Sequence, residues 1–303
     1  MDHGTGETSR PRPGGEASLA GRTVARVGFG AMQLPRLEGE PAAAVALVRE
    51  AIALGVDHID TARFYGDGFS NEVLRVAVRP GDEVLIASKV GADVVSGGRF
   101  RVGAAQRPEQ LRAGVEANLV TLGVERIPLV NLRRMDVGRA PRAGDDQIVD
   151  IDAQLEVMAA LRDEGKIGAI GVSNVSEHNL RRAIRLCIAC VQNAYSLVVR
   201  DDEPLLELCI AEGIAWVPFF PLGGGFPGMP SADDHPVVVD TALALGCTTA
   251  QLALAWLLHR APNILLIPGT SNPLHLAENT AAGALRLDAE TLAVLDAVAP
   301  PGR

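Results

Sequence analysis

The stretch PAAAVALVREAIALGVDHID, residues 41–60, joins a helix-period segment, Pro41–Leu54, to a short apolar run, Val56–Asp60. Apolar residues recurring every three or four positions give a helix one buried face, whereas a brief apolar run bounded by polar residues reads as a strand. The same alternation continues in both directions. Strand-like runs lie near Ala25–Gly30, Glu83–Ser88, Ile127–Leu132, Ile167–Val172, Ala189–Gln192, Ile214–Pro218 and Ile264–Ile267. Amphipathic segments lie between them at Pro108–Leu122, Ile151–Glu164, Glu177–Leu186, Asp202–Glu212 and Ala250–Arg260. Strands alternating with helices make parallel βα units. Eight such strands predict an α/β fold, a (β/α)8 TIM barrel with parallel strands. A doubly wound open sheet is the alternative, but Gly28-Phe29-Gly30 lacks the third glycine of its phosphate-binding turn.

The chain has 303 residues, which α/β barrels reach as one domain although a prior of ~150 residues per domain suggests two. Residues 1–20 are read as a disordered tail, Gly- and Pro-rich and without an apolar segment, and residues 21–303 as one barrel domain. A net charge of −9 excludes an extended nucleic-acid surface, which needs clustered Lys and Arg. No apolar run approaches the ~18 residues of a membrane span. The expectation is a soluble, cytoplasmic protein with neither a nucleic-acid nor a membrane partner; its oligomeric state is left open. Cys187 and Cys190 form a C-x-x-C pair, but no second pair or nearby His completes a metal set. They are expected to be buried structural thiols, and no metal is expected. Three stretches rich in Gly, Pro or charge, Gly91–Arg107, Val137–Gln147 and Gly223–His235, follow strands. In a barrel they fall at the C-terminal face, where sites are built.

Asp60 closes the second strand, Tyr65 follows five residues later, and Lys89 closes the third. Brought to one mouth, an ammonium favours the ionised form of a phenol, and a carboxylate holds the ammonium in place. A phenol so placed donates a proton to a carbonyl oxygen as hydride arrives. Lysine is scarce here: Lys89 and Lys166 are the only two among 28 basic residues, so a strand-end lysine stands out. Either residue alone reads as surface lysine or loop tyrosine. All three at strand ends read as a site.

D-T-A-x-x-Y-G at 60–66, the strand-end Lys89, Gly171-Val172-Ser173-Asn174 and Ile267-Pro268-Gly269-Thr270-Ser271 together resemble the aldo-keto reductase superfamily over about residues 22 to 298. The resemblance implies an NAD(P)H-dependent oxidoreductase that reduces an aldehyde or ketone. It makes Asp60, Tyr65 and Lys89 three members of a catalytic tetrad, with Tyr65 as general acid. The fourth position, usually His, is Arg133 here. That variant, with Pro218-Phe219-Phe220-Pro221-Leu222-Gly223, resembles a bacterial branch related to pyridoxal reductases, so a pyridoxal-like or secondary-metabolite carbonyl is the implied small-molecule substrate. A guanidinium does not shuttle protons near neutral pH, but it orients a carbonyl oxygen and stabilises developing negative charge.

The resemblance also implies a cofactor site. Ser173, Asn174 and Gln192 would meet the nicotinamide carboxamide, and Phe219 would stack on the ring. Gly30, Met32, Asp60, Pro221 and Leu222 would also belong to the cofactor site. Gly269, Thr270, Ser271 and His275 would lie at the phosphates, where a helix N-terminus favours an anion. Glu278 and Asn279 would meet the adenine. NADPH is the implied cofactor, with NADH as a second option because Gly269, Asn272 and His275 bring no Lys or Arg to a 2′-phosphate. The rival reading is a cofactor-binding regulatory or sensor protein with weak or no turnover, suggested by the loss of the tetrad His.

Overall fold

The computed structural model describes residues 12–95, 102–137, 143–225 and 228–298. The chain begins with an antiparallel hairpin, β1 (Glu16–Leu19) and β2 (Arg22–Ala25), that turns at Ala20-Gly21. Leu19 and Val24 are buried in one cluster with Leu85, Leu129 and Leu265, so the hairpin closes the barrel floor with apolar side chains. This corrects the expected tail at its C-terminal end; residues 1–11 of it lie outside the described residues. Residues 16–19 are a strand held by pairing and burial, and four residues are too few to announce themselves by alternation.

Seven parallel strands then follow in sequence order, interrupted by one hairpin. They are β3 (Phe29–Gly30), β4 (His58–Asp60) and β5 (Leu85–Val90), the hairpin β6 (Ala92–Val94) and β7 (Val102–Ala104), then β8 (Ile127–Arg133), β9 (Ile167–Ser173), β10 (Cys190–Gln192) and β11 (Ala215–Trp216). The sheet curls shut through Ile264–Leu266, which bridges Trp216 on one side and Val27 on the other. Backbone N–H groups of Leu265 and Leu266 donate to the carbonyls of Trp216 and Arg26, at 2.9 and 2.7 Å. The eighth strand of the barrel is therefore this short bridge. The predicted TIM barrel is the observed fold.

Ten helices are described: α1 (Pro41–Ala53), α2 (Phe69–Ala77), α3 (Pro108–Leu122), α4 (Ile151–Asp163), α5 (Glu177–Ile184), α6 (Glu203–Ala211), α7 (Pro236–Leu245), α8 (Thr249–Arg260), α9 (Pro273–Ala281) and α10 (Ala289–Asp296). Their starts follow local chemistry. α8 has a full capping box between Thr248 and Gln251, and Pro stands at the first turn of α1, α3, α7 and α9. The main apolar core lies between sheet and helices, with Ile59, Val130, Ile170 and Val191 facing outward into it. Neighbouring positions on the same strands, such as His58 and Asp60, face the barrel axis. No single described helix is long and apolar enough to cross a membrane.

The hairpin β6–β7 lies inside the stretch read as the loop Gly91–Arg107, and residues 96–101 of that loop are outside the described residues. So are residues 138–142 and 226–227 of the other two loops. Cys187 is exposed, with φ +53°, where a buried thiol was expected. Only Cys190 of the pair is buried, because β10 begins at Cys190 and turns its side chain to the axis. There its thiol donates to Asn131 Oδ1 at 3.2 Å.

Candidate active site

β4 and β5 place the first three site residues. Their register pairs Asp60 with Ala87, so Lys89, two residues further along, points into the barrel beside the carboxylate. Lys89 donates to Asp60 Oδ1 and to the Thr61 carbonyl at 3.1 Å. Both side chains are about 4% exposed. The second carboxylate oxygen accepts from Gln192 Nε2 at 2.7 Å. Asp60 is thus held from β5 and from the opposite wall of the barrel at once. Burial alone pulls the Lys89 ammonium down, but Asp60 and Tyr65 outweigh it and the net direction is up. Lys89 therefore stays charged. Its Nζ sits 5.1 Å from the centre of the Tyr65 ring.

These groups open on a cavity of about 590 Å3 at the C-terminal mouth. Asp60, Tyr65, Lys89 and Arg133 all line it. So do Gly30, Met32, Phe219, Pro221, Leu222, Gly269 and Asn279 among the expected cofactor residues. Arg133, the last residue of β8, places Cζ 5.4 Å from the Phe219 ring centre. It has no carboxylate within ion-pair distance among the described residues; Asp136 is taken by Arg134. Burial lowers the Arg133 pKa, against the pull of Tyr65 and Asp60, and a guanidinium remains charged under these conditions. Gly30 and Gly269 are glycine for a packing reason. A Cβ on Gly30 would meet the Ile267 carbonyl at 2.5 Å, and one on Gly269 would meet the Gly30 carbonyl at 2.7 Å.

Ser173 and Gln192 lie deeper, side by side in the β9–β10 register. Ser173 Oγ and Gln192 Oε1 are both buried without a hydrogen-bond partner. An acceptor and a hydroxyl left unpaired together match a primary carboxamide, which offers N–H donors and a carbonyl. The residues present therefore fit a nicotinamide. Asn174 is used differently. It has φ +56°, and its Nδ2 donates to the carbonyls of Arg134 and Val137 at 2.9 and 2.7 Å, tying β9 to the loop after β8. Thr270, Ser271, His275 and Glu278 are not part of the cavity wall. Thr270 Oγ1 accepts from the Asn272 N–H, Asn272 Oδ1 accepts from the Leu274 N–H, and Pro273 has none. His275 is exposed in the first turn of α9.

Sequence reading missed Gln33, Phe64, Met135 and Phe220, which also line the cavity. Gln33 belongs to a short 3-10 turn after β3, and the rest lie one or two residues from a singled-out position with no motif of their own. Among the described residues no group of three or more His, Cys, Asp or Glu is placed to hold a metal.

The sequence profile of the Aldo/keto reductase family matches residues 26–300. The chain belongs to the aldo/keto reductase family. It is 42% identical over 289 residues to pyridoxine 4-dehydrogenase of Escherichia coli, covering 93% of this chain and 97% of that one. The fold superposes on a Klebsiella pneumoniae aldo-keto reductase in complex with NADPH with a TM-score of 0.78 and 28% identity, over 95% of this chain and 96% of the other. A Klebsiella pneumoniae aldo/keto reductase with NADP and acetate gives 0.75 and 28%, over 97% and 96%. This aldo/keto reductase is an NADP-dependent oxidoreductase acting on carbonyl and CH–OH groups.

Proposed function

We propose that this aldo/keto reductase interconverts an aldehyde of the pyridoxal class and its alcohol, with Tyr65 as the proton donor to the carbonyl oxygen. The observation that carries the reading is Lys89, buried and clamped by Asp60, with its ammonium 5.1 Å from the Tyr65 ring at the mouth of the cavity. The likeness to pyridoxine 4-dehydrogenase supports the substrate class.

A nicotinamide held at Ser173 and Gln192 would supply hydride for the carbonyl carbon. Tyr65 Oη gives its proton to the carbonyl oxygen, forming the O–H bond as the C=O becomes a single bond. Negative charge left on the phenol oxygen is met by Lys89, whose position Asp60 fixes before the reaction. Arg133 meets the same carbonyl oxygen from the β8 side and adds positive potential as charge develops there. Phe219 and Met32 give the cavity apolar surface against which a substrate ring packs.

Following NADPH oxidation with pyridoxal tests the reading. Turnover that vanishes in Tyr65→Phe supports it. Cofactor binding with no turnover of any aldehyde would favour the regulatory role instead.

A further inference from the structure

Lys89 and Arg133 face one cavity, but their charges are balanced differently. Asp60 is the only carboxylate in the wall of the cavity among the described residues, and Lys89 has taken it. The positive charge of the wall that has no carboxylate partner belongs to Arg133. No side chain among the described residues accepts a hydrogen bond from its guanidinium. Its Cζ lies 5.4 Å from the centre of the Phe219 ring, and Arg133 itself lines the cavity that a ligand would enter. Around it the wall is largely apolar, with Met32, Phe64, Met135, Phe220 and Leu222. A cation in such surroundings is poorly solvated and favours an anionic partner.

A guanidinium presents two parallel N–H groups in a fixed fork, which matches two oxygens held side by side. On the reductase reading one of the two is the carbonyl oxygen, because Arg133 and Tyr65 line the same cavity. The second oxygen then has to sit next to the first and carry the charge.

We propose that Arg133 selects carbonyl substrates bearing an ionised oxygen on the carbon adjacent to the one that carries the carbonyl group, as in a 2-hydroxyaryl aldehyde in its phenolate form, by chelating both oxygens. The inference rests on the reductase reading for the place of the carbonyl oxygen and adds the substrate feature that the site reads. A phenolate elsewhere on the ring has the same charge but cannot share the fork. A carbonyl compound without the oxyanion leaves Arg133 unmatched.

The test compares 2-hydroxybenzaldehyde, 4-hydroxybenzaldehyde and benzaldehyde with the protein saturated in NADP+, so that binding is read without turnover. The phenolate absorbance band reports ionisation on binding, and titration gives affinity. Wild type is expected to bind the 2-isomer as phenolate at least about tenfold more tightly than the 4-isomer, the scale of one added charge-assisted hydrogen bond. Arg133→Lys keeps the charge and loses the fork, so it should bind both isomers within about threefold of each other. Equal affinities in wild type would overturn the proposal, as would an ortho preference that survives in Arg133→Lys. NADPH oxidation with benzaldehyde is measured in parallel. Turnover of benzaldehyde with no ortho preference means that the chelate is wrong and the reductase reading stands. An Arg133-dependent ortho preference without turnover of any aldehyde means the reverse.

Discussion

The two sides of the barrel mouth handle charge in opposite ways. On the β4–β5 side Asp60 and Lys89 neutralise each other, both about 4% exposed, with Gln192 and the Thr61 carbonyl completing their bonds. On the β8–β11 side Arg133 faces the cavity with an aromatic ring behind it and no anion of the protein's own among the described residues. A charge paired within the fold is preorganised for a reaction that is the same for every substrate. A charge left open depends on the ligand for its partner, so it discriminates among ligands. The comparison predicts that changes on the first side damage catalysis broadly, whereas changes on the second redistribute specificity.

The largest effect expected is on the paired side. Tyr65→Phe keeps the ring and removes the proton, and turnover should fall by about 100-fold or more with little change in cofactor affinity. Lys89→Met should cost a similar factor, and it should do so for neutral and anionic aldehydes alike. A Lys89→Met defect confined to one of these substrate classes would break the comparison. Steady-state kinetics with matched aldehydes and fluorescence titration with NADPH measure both quantities.

His58 extends the paired side downward. It is 1% exposed, one turn of the pleat below Asp60 on β4, and a Cβ on Gly28 would collide with its ring. Burial pushes its pKa down from 6.5 to about 4, against weaker pulls from Asp57, Asp60 and two backbone carbonyls. The folded protein therefore holds His58 neutral where the unfolded chain would protonate it. With the folded value below the unfolded one, stability is full above pH 6.5 and is lost as pH falls toward 4. The loss should reach about 3 kcal/mol and then level off. Denaturant titrations between pH 7 and pH 4 should show this slope in wild type, and His58→Asn should lose that part of it whatever its absolute stability. An identical slope in both proteins would show that His58 is not kept neutral by the fold.

Much of this was legible in the sequence, and the limits have physical causes. Long helix-period segments such as Pro108–Leu122 and Ile151–Asp163 fell within a residue of their observed bounds because one-sided burial repeats over several turns. Asp60, Tyr65, Lys89 and Arg133, singled out in the sequence, line one cavity because strand ends in a barrel converge on one mouth whatever the loops do. Short elements were lost. β1, β6 and β7 have three or four residues each and owe their form to pairing with a partner strand, which no local pattern records. The Gln192–Asp60 bond joins residues 132 apart in sequence, so nothing in either segment revealed that Gln192 supports the carboxylate. The clamp made by Asn174 was hidden for the same reason.

Cofactor choice should show a smaller effect. The start of α9 spends its polar groups internally, through Thr270, Asn272 and the proline at its first position, and His275 is exposed in its first turn. No Lys or Arg stands at Gly269, Asn272 or His275 to meet a 2′-phosphate. One missing charged contact is worth about 1–3 kcal/mol, so the preference for NADPH over NADH should be tens of fold. A preference near a thousandfold would show that another cation closes over the phosphate. Fluorescence titration with both reduced cofactors decides it.

The smallest effect sharpens the comparison most, because Gln192 bridges the two sides. A carboxylate only accepts, so the atom facing Asp60 must be Nε2, and Oε1 must be the acceptor left for a ligand beside Ser173. Gln192→Leu removes both bonds at once. Losing the acceptor should weaken NADPH binding by about tenfold. Asp60 keeps Lys89, so turnover at saturating NADPH should fall by far less than in Lys89→Met. Gln192→Glu keeps the acceptor but sets a second carboxylate against Asp60. Two carboxylates this close share a proton, so the variant's turnover should gain a pH dependence that wild type, measured alongside, lacks. If Gln192→Leu were as damaging to turnover as Lys89→Met, the ion pair would not be self-sufficient. The paired side would then need the far wall of the barrel to hold its geometry, and the division between a preorganised and an open side would lie beyond Gln192, at Arg133 alone.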